Sequence, residues 1–270
     1  MQLDSLKSPE EAAQGEDRDF VTSIARAFSI LRAFRRGERS LGNKEIAQRT
    51  GLPKSSVARL TYTLTRLGYL EYLPGEEKYG LGIGVLALGQ RYLSGLDVRE
   101  VARPMMQELA DYSQATVALA ARDDVNMVFL EICHGNPLFR LRLEVGERVP
   151  RGTTALGRAG FAALSQEDRA QALATYRSIV KKADWPALRD GLEQAVKDYE
   201  KYGFCFSFGD WNPNVFAVGV PMAASDRGKV MAFSCFGQVH EMTRARIVSD
   251  IGPRLMALRD RVADALGEYR

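Results

Sequence analysis

The fold of this chain is decided by the stretch from Gly42 to Gly68, which reads GNKEIAQRTGLPKSSVARLTYTLTRLG. Ala47, Gly51 and Val57 are spaced as in two short helices that cross at a tight turn. A small residue at Ala47 allows the second helix to cross close to the first, and Gly51 can adopt the positive φ that the turn requires. The spacing therefore predicts a helix-turn-helix.

The second helix of this pair is predicted to have one apolar and one polar face. Pro53 is acceptable in its first turn, where a missing N–H costs nothing, and Gly68 is a typical glycine for a helix C-terminus. The apolar positions recur at helical spacing and are predicted to be buried: Val57, Leu60, Leu64 and Leu67. The opposite face can contact phosphates or base edges, and it carries Lys54, Ser55, Ser56, Arg59, Tyr62, Thr63 and Arg66.

Two short apolar runs follow, separated by the turn Pro74-Gly-Glu-Glu-Lys78, and they predict a two-stranded wing. Between residues 20 and 95, twelve basic residues stand against five acidic ones, although the net charge of the whole chain is only +3. This concentration of positive charge is expected for a domain that binds double-stranded DNA. Arg26, Lys44 and Lys78 are predicted to contact phosphates, while Ser55, Ser56 and Arg59 read bases. A helix-turn-helix that only packs or docks proteins is the alternative.

The length of 270 residues favours two domains, and a hydrophobic content of 46% is sufficient for two cores. The predicted divisions are a disordered acidic tail over 1–19, the winged helix-turn-helix over 20–82, a linker and dimerisation helix over 83–97, and a second domain over 98–270.

Two helices that flank the helix-turn-helix are predicted to be amphipathic. The first begins near Thr22 or Ser23, and its predicted inner face carries Ile24, Ala27, Phe28, Leu31 and Phe34. The linker helix has an apolar stripe formed by Leu81, Val85, Leu88 and Tyr92, with Leu86 and Leu93 beside it. An apolar stripe on a linker implies a partner, most simply a second copy of the chain.

The second domain is predicted to be α+β with an antiparallel sheet, because helices are mixed with mainly sequential strands. Predicted strands cover 116–122, 126–133, 138–144, 204–208, 216–222 and 230–235. A helix over 98–112 is predicted to turn Val101, Met105, Leu109 and Tyr112 inward. Further helices are predicted over 155–164, from Gln166 with Ser165 as its cap, from Asp184 to Gly203, and from Thr243 with a break at Gly252-Pro253.

Four motifs in order resemble the IclR family of bacterial transcription regulators, over about residues 20–267. They are SIARAFSIL from Ser23, GLPKSSVARL from Gly51, GERVPRGTTALGRA from Gly146, and the segment from Tyr202 to Met222. The resemblance implies a winged helix-turn-helix, a dimerising linker helix and a GAF-like effector domain that binds a small organic acid. It also implies a dimer or tetramer on a palindromic operator and a repressor of catabolic genes, with an activator as the alternative.

The resemblance places the effector pocket at Thr154, Ala155, Leu156, Ser207, Asp210, Val215, Ala217, Ser234 and Phe236. Thr153 and Thr154 precede a helix, so their hydroxyls and the free N–H groups can hold a carboxylate; alternatively, Thr154 only caps its helix. Aromatic residues crowd the same part of the sequence: Phe204, Phe206, Phe208, Trp211 and Phe216. We therefore expect an effector more apolar than a two- or three-carbon keto acid.

No pattern in the sequence indicates a catalytic, metal or cofactor site. Cys133 and His134 are adjacent, but neighbouring residues of a strand face opposite sides and cannot act as a nucleophile and its base. The three cysteines have no C-x-x-C spacing, which argues against structural zinc and a disulfide framework. No apolar run is long enough to cross a membrane. We expect a cytoplasmic regulator without a cofactor; an enzyme with an appended docking module is the less favoured alternative.

Overall fold

The computed structural model describes residues 19–136, 141, 143–222 and 230–268. The chain divides into two compact units, which meet in sequence between Gly95 and Leu96. The tail predicted over 1–19 lies outside the described residues, apart from residue 19. Among the helices in the described part of the chain, none is both long enough and apolar enough to span a bilayer.

The N-terminal unit contains the predicted helix-turn-helix and wing. Its elements are α1 (Thr22–Arg32), α2 (Asn43–Thr50), α3 (Lys54–Arg66), β1 (Leu70–Leu73), β2 (Lys78–Leu81) and α4 (Ile83–Ser94). Gly51 ends α2 with a φ of 71°, in the left-handed region that the turn was predicted to need. Strands β1 and β2 pair in antiparallel fashion. These features confirm the winged helix-turn-helix.

The core of this unit differs from the predicted helix faces at several positions. It is formed by Ile30, Leu41, Ile46, Leu52, Val57, Leu64 and Leu70. In α1 the fully buried residue is Ile30, whereas Ile24 and Phe28 are exposed, so the predicted inner face is wrong at both positions.

The buried side of α3 also departs from simple apolar periodicity. Leu67 is exposed because α3 ends at Arg66 and Leu67 is the C-cap residue. The polar residue Thr61, which was not predicted to be buried, is fully buried on the inner side of α3. Its hydroxyl donates to the carbonyl oxygen of Val57 at 2.9 Å, which satisfies the polar group inside the core.

The C-terminal unit is an α+β domain with one six-stranded antiparallel sheet. Its first four helices are α5 (Asp97–Ser113), α6 (Ala155–Ala162), α7 (Gln166–Ile179) and α8 (Trp185–Tyr202). Its strands are β3 (Thr116–Asp123), β4 (Asn126–His134), β5 (Arg148–Pro150), β6 (Cys205–Phe208), β7 (Val215–Met222) and β8 (Met231–Gln238). Their order across the sheet is β5-β4-β3-β8-β7-β6. The last helix, α9, consists of the turn Arg244–Arg246, a π-helical turn Ile247–Ile251 and the α-helix Gly252–Glu268.

Helices cover both faces of this sheet. Helices α5 and α9 pack together on the sheet, and α6 packs on it with α8 behind. The central strand β3 is accordingly buried at consecutive residues from Thr116 to Ala121. Gly219 of β7 lies against the start of α6, where an added Cβ would come within 2.3 Å of the carbonyl oxygen of Ala155. Only a glycine allows this close approach, which brings the first turn of α6 onto the sheet.

Some local predictions in this unit are wrong. Helix α5 buries Leu109, as predicted, together with Ala102 and Met106. The predicted inner face is wrong at three positions, because Val101 and Met105 are only half buried and Tyr112 is half exposed. The strand at the edge next to β4 is β5. Of the strand predicted over 138–144, residues 138–140 and 142 lie outside the described residues, and the others form no strand. Asp184 is the N-cap of α8, but its side chain makes no capping hydrogen bond.

Candidate functional site

The polar face of α3 is turned toward solvent. Val57 and Leu64 hold the opposite side of the helix in the core. Ser56 is half buried, and the other predicted contacts are exposed: Lys54, Ser55, Arg59, Tyr62, Thr63 and Arg66. The helix therefore presents three cationic side chains and several hydroxyl groups on one accessible surface.

The predicted phosphate contacts outside α3 differ in accessibility. Lys44 on α2 is exposed. Lys78 on β2 is half exposed, and its Nζ lies 3.8 Å from a carboxylate oxygen of Glu45, which also accepts from the N–H of Gly42 at 2.8 Å. Arg26 is half buried, and its Nε has no hydrogen-bond partner among the described residues. Of the three, Lys44 is thus the most accessible.

Arg49 and Glu38 form a bidentate ion pair that engages one of the arginines of the N-terminal unit. Arg49 Nη2 donates to Glu38 Oε1 at 2.8 Å, and its Nη1 donates to Glu38 Oε2 and to the carbonyl oxygen of Ala33. The hydrogen bonds from Arg49, and then that from the Arg35 N–H, lower the pKa of Glu38 to about 2. The pair joins α2 to the segment that follows α1.

Helix α4 leaves apolar side chains exposed on the N-terminal unit. None of its residues is buried within one chain. Ile83, Leu86 and Leu88 are all exposed, as is Leu81 just before the helix. Exposed apolar surface of this kind is typical of an interface with another protein.

A cavity in the C-terminal unit lies where the first turn of α6 meets strands β6, β7 and β8. Its wall is formed by Phe129, Leu143, Val149, Thr154, Ala155, Leu156, Ser207, Trp211, Val215, Ala217, Ser234 and Phe236. The space between the lining atoms measures about 400 Å³, and part of it is open to solvent. A water molecule can be accommodated in about 30 Å³ of this space. All the predicted effector contacts except Thr153 and Asp210 line it. Sequence reasoning missed Phe129, Leu143 and Val149, which come from other parts of the chain.

Thr154 is engaged in capping α6. Its hydroxyl accepts from the N–H of Gly157 at 3.1 Å and donates to the carbonyl oxygen of Pro150 at 2.7 Å. The N–H groups of Ala155 and Leu156, in the first turn, precede the intrahelical hydrogen bonds of α6 and stand at the positive end of its dipole. The backbone, rather than the Thr154 hydroxyl, is thus the available donor here.

The serine hydroxyls of the wall are satisfied by the protein itself. Ser207 donates to the carbonyl oxygen of Thr153 at 2.8 Å, and Ser234 donates to that of Val218 at 2.8 Å. The hydroxyl of Thr153 is buried and has no partner among the described residues. The cavity therefore offers mostly apolar surface to a ligand.

Asp210 holds a buried arginine instead of lining the cavity. Arg158 Nη1 donates to Asp210 Oδ2 at 2.9 Å and to the carbonyl oxygen of Phe206 at 2.9 Å, while Arg158 Nε donates to that of Gly152 at 3.2 Å. Asp210 also accepts from the N–H of Phe208 at 3.1 Å. Arg158 therefore links α6 to β6. Sequence reasoning missed this residue, although a single arginine in the otherwise apolar run ALGRAGFA could have indicated a structural role.

Most of the aromatic side chains expected near the pocket lie elsewhere. Trp211 lines the cavity, whereas Phe204, Phe206, Phe208 and Phe216 pack ring against ring, with centroids 5.1 to 5.4 Å apart. Alternation along β6 explains this, because Ser207 and the flanking phenylalanines face opposite sides of the sheet. The apolar character of the cavity comes from other residues.

The cysteines show no sign of reactivity. All three are buried and free, and burial raises the pKa of Cys133 to about 11 and that of Cys235 to about 12. Burial also raises the pKa of Cys205. Within the described residues no three histidine, cysteine or acidic side chains are grouped as metal ligands.

Comparison with known families identifies the two units. The model of the IclR helix-turn-helix domain matches residues 23–74, and that of the bacterial transcriptional regulator IclR C-terminal domain matches residues 90–262. The chain belongs to the IclR family. IclR-family proteins are transcriptional regulators, and this one is a DNA-binding regulator rather than an enzyme.

Individual IclR-family proteins resemble it over nearly the whole chain. The HTH-type transcriptional regulator TsaQ1/TsaQ2 of Comamonas testosteroni is 33% identical over 98% of this chain and 94% of its own. The crystal structure of an IclR family transcriptional regulator from Brucella abortus is 42% identical, covers 98% of both chains and has a TM-score of 0.86. An IclR homologue from Microbacterium hydrocarbonoxydans, complexed with 4-hydroxybenzoate, shares the fold at 21% identity, with a TM-score of 0.68 over 90% of this chain and 99% of its own.

Proposed function

We propose that this IclR-family regulator binds a palindromic operator as a homo-oligomer and represses catabolic genes until a small, relatively apolar organic acid occupies the cavity at α6. The observation that carries the proposal is the solvent-facing cationic side of α3. An activator of the same family is the alternative, and it differs in where the operator lies relative to the promoter.

The exposed surface of α3 supports reading of the major groove, which admits an α-helix. Ser55, Ser56 and Arg59 would read base edges, and Lys54, Tyr62, Thr63 and Arg66 would contact the flanking backbone. Lys44 needs no rearrangement to reach a phosphate, whereas Lys78 would exchange the Glu45 carboxylate for one. Arg26 would have to leave its half-buried position.

The exposed apolar side of α4 supports a dimer. A two-fold pair of chains would bury Ile83 and Leu86, which lie one turn apart on the same side of α4, and would present two α3 helices to the two halves of an operator. Replacement of Leu86 by Asp should shift the protein from dimer to monomer in light scattering. An unchanged mass would show that α4 is not the interface.

The cavity at α6 supports a ligand with an apolar body and one carboxylate. Its hydroxyls are already hydrogen-bonded, and the N–H groups of Ala155 and Leu156 are the donors nearest to a helix end that favours an anion. Ligand sites usually measure about 300–1,000 Å³, so the part of this cavity that can admit water, about 30 Å³, must widen. That widening would move the wall around α6 and couple ligand binding to the operator-bound state.

DNA binding is tested by fluorescence anisotropy with the regulator's own upstream DNA between 50 and 200 mM salt. Affinity should fall steeply with salt, because phosphate contacts release counterions. Arg59→Ala should cost about 1–3 kcal/mol at one base position of each half-site. The matched control is Arg177→Ala, an exposed change on α7 that should leave affinity unchanged. Equal weakening on all sequences would assign Arg59 to a phosphate, and salt-independent binding would contradict the DNA interface.

Effector binding is tested by thermal shift with a panel of organic acids that includes 4-hydroxybenzoate, the ligand in the complexed homologue. Ala217→Phe should fill the cavity and remove the shift, while the matched Ala163→Phe, at an exposed position after α6, should retain it. Tight, saturable binding of pyruvate or glyoxylate alone, lost in Ala217→Phe, would contradict an apolar ligand in this cavity.

A further inference from the structure

A second cavity lies in the C-terminal unit, between the β3–β4 turn, the residues after β5, and α7. It shares no lining residue with the cavity at α6. About 290 Å³ of it admits water, and its wall is mainly polar. Arg122, Asp124, Arg151, Asp168 and Tyr176 supply its ionisable groups.

Arg151 carries a buried charge that the protein leaves partly unsatisfied. The residue is 4% exposed, and its Nη1 donates to the carbonyl oxygen of Asp124 at 2.9 Å. Its Nε and Nη2 are buried and have no hydrogen-bond partner among the described residues. Burial lowers the pKa of Arg151, as expected for a cation that lacks a paired anion. Buried charges are normally paired, so this arrangement is unusual for a purely structural arginine.

Tyr176 supplies a second unused donor on the same wall. The residue is 1% exposed, and its hydroxyl has no partner among the described residues. Burial raises the pKa of Tyr176 to about 12, so the hydroxyl keeps its proton and can donate a hydrogen bond. The side chain packs in a core cluster with Leu188 and Leu192, which fixes its position.

The geometry of the free guanidinium edge selects the ligand. Nε and Nη2 form one edge of the planar group, and two parallel N–H donors of this kind match the two oxygens of a carboxylate. We propose that this cavity is a second ligand site, in which a small shift of the Arg151 side chain opens that buried edge to a small carboxylate and Tyr176 donates to the same group.

The surrounding charges favour a monoanion over a phosphate dianion. Arg151 is the buried cation that needs a counter-charge, and one negative charge provides it. The wall also carries one more cation, Arg122, and two carboxylates, Asp124 and Asp168, so these groups are negative on balance and a second negative charge on the ligand would be repelled. The polar wall and the remaining volume suit a hydroxyl-bearing body, unlike the apolar wall of the cavity at α6.

The experiment is isothermal titration calorimetry of the full chain with lactate, acetate and inorganic phosphate at constant ionic strength. Lactate and acetate should bind saturably, and phosphate should bind more weakly. Arg151→Met should weaken carboxylate binding on the order of tenfold to a hundredfold, the usual range for lost charge-assisted hydrogen bonds. The matched control is Arg148→Met, an exposed arginine at the start of β5, which should bind as the wild type does.

Two further variants show which of the two cavities binds lactate and provide a test that does not depend on the folding of Arg151→Met. Ala217→Phe blocks the cavity at α6 and should leave lactate binding intact, and Tyr176→Phe should weaken it severalfold without disturbing Arg151. The proposal is overturned if neither acid binds, if phosphate binds more tightly than both acids, or if Ala217→Phe abolishes binding. It is also overturned if Tyr176→Phe and a folded Arg151→Met both bind as the wild type does.

Discussion

Glu131 is a buried carboxylate on β4 that pairs with two arginines from the first half of α5. Its Oε2 accepts from Arg99 Nη2 at 2.7 Å and from Arg99 Nε at 3.2 Å, and its Oε1 pairs with Arg103. The Glu131 side chain is 4% exposed, whereas those of Arg99 and Arg103 are 23% and 61% exposed. The cluster fastens the helix that follows α4 to the sheet of the C-terminal unit.

Replacement of Glu131 by Gln removes the negative charge at nearly constant volume. Loss of one partner of a fully buried ion pair costs about 3–5 kcal/mol, because the other charge stays buried. Arg103 is mostly solvated and loses little, since exposed pairs contribute about 0–1 kcal/mol. Arg99 is the partner that remains largely desolvated, and the amide oxygen of Gln can still accept one hydrogen bond. We therefore expect a loss of about 2–3 kcal/mol in the free energy of unfolding.

Tryptophan fluorescence suits this measurement, because both tryptophans, Trp185 and Trp211, belong to the C-terminal unit. For a domain of this size the expected loss lowers the midpoint of thermal unfolding by roughly 5–10 °C. Glu108→Gln is the matched control, since Glu108 pairs with Arg261 at 3.1 Å and both side chains are largely exposed. It should lower the midpoint by less than about 2 °C. Equal losses in the two variants would refute the reasoning that burial sets the strength of the pair.

Three other outcomes follow from the described contacts. Gly51→Ala should destabilise the N-terminal unit by about 1–2 kcal/mol in chemical denaturation followed by circular dichroism, because φ is positive there; an unchanged midpoint would contradict this. The pKa of Glu38 is lowered from 4.5 to about 2 beside Arg49, so its stabilising effect is complete above pH 4.5 and is lost as the pH falls toward 2. Glu38→Gln should therefore flatten the pH dependence of thermal unfolding over that range, and an identical pH profile would count against the pair. The buried cysteines, with pKa values raised by burial, should react with a thiol reagent at pH 8 only after unfolding, and a rapid reaction of Cys133 in the native protein would show that its thiol is accessible.

The helix-turn-helix could be predicted because its requirements are local. Gly51 needs a positive φ at one defined position, and the apolar spacing between Val57 and Leu64 fixes which side of α3 is buried. The error at Leu67 arose because apolar periodicity does not show where a helix ends. Thr61 was missed because its hydroxyl is satisfied by a carbonyl oxygen of its own helix, and residue type alone does not reveal this.

The cavity at α6 could be predicted only in part. The run around Thr154 precedes a helix and is recognisable locally. Phe129 and Val149 reach the same cavity because β4 pairs with β3 and β5 pairs with β4 in the sheet, and no spacing in the sequence specifies that order. The unpaired edge of Arg151 could not be predicted either, because the hydrogen-bond partners of its guanidinium group depend on which residues the folded chain brings close to it.

The interior hydroxyl of Thr61 has a genetic consequence. The single proton of the Thr61 hydroxyl can bond the carbonyl oxygen of Val57 at 2.9 Å or Oδ1 of Asn43 in α2 at 3.3 Å, and the contact with Asn43 sets the rotation of α3 about its own axis relative to α2. A valine at position 61 would preserve the volume of the core but would remove the contact between the Thr61 hydroxyl and Asn43. Alleles deficient in operator binding should therefore arise inside the domain, at a side chain that never reaches nucleic acid.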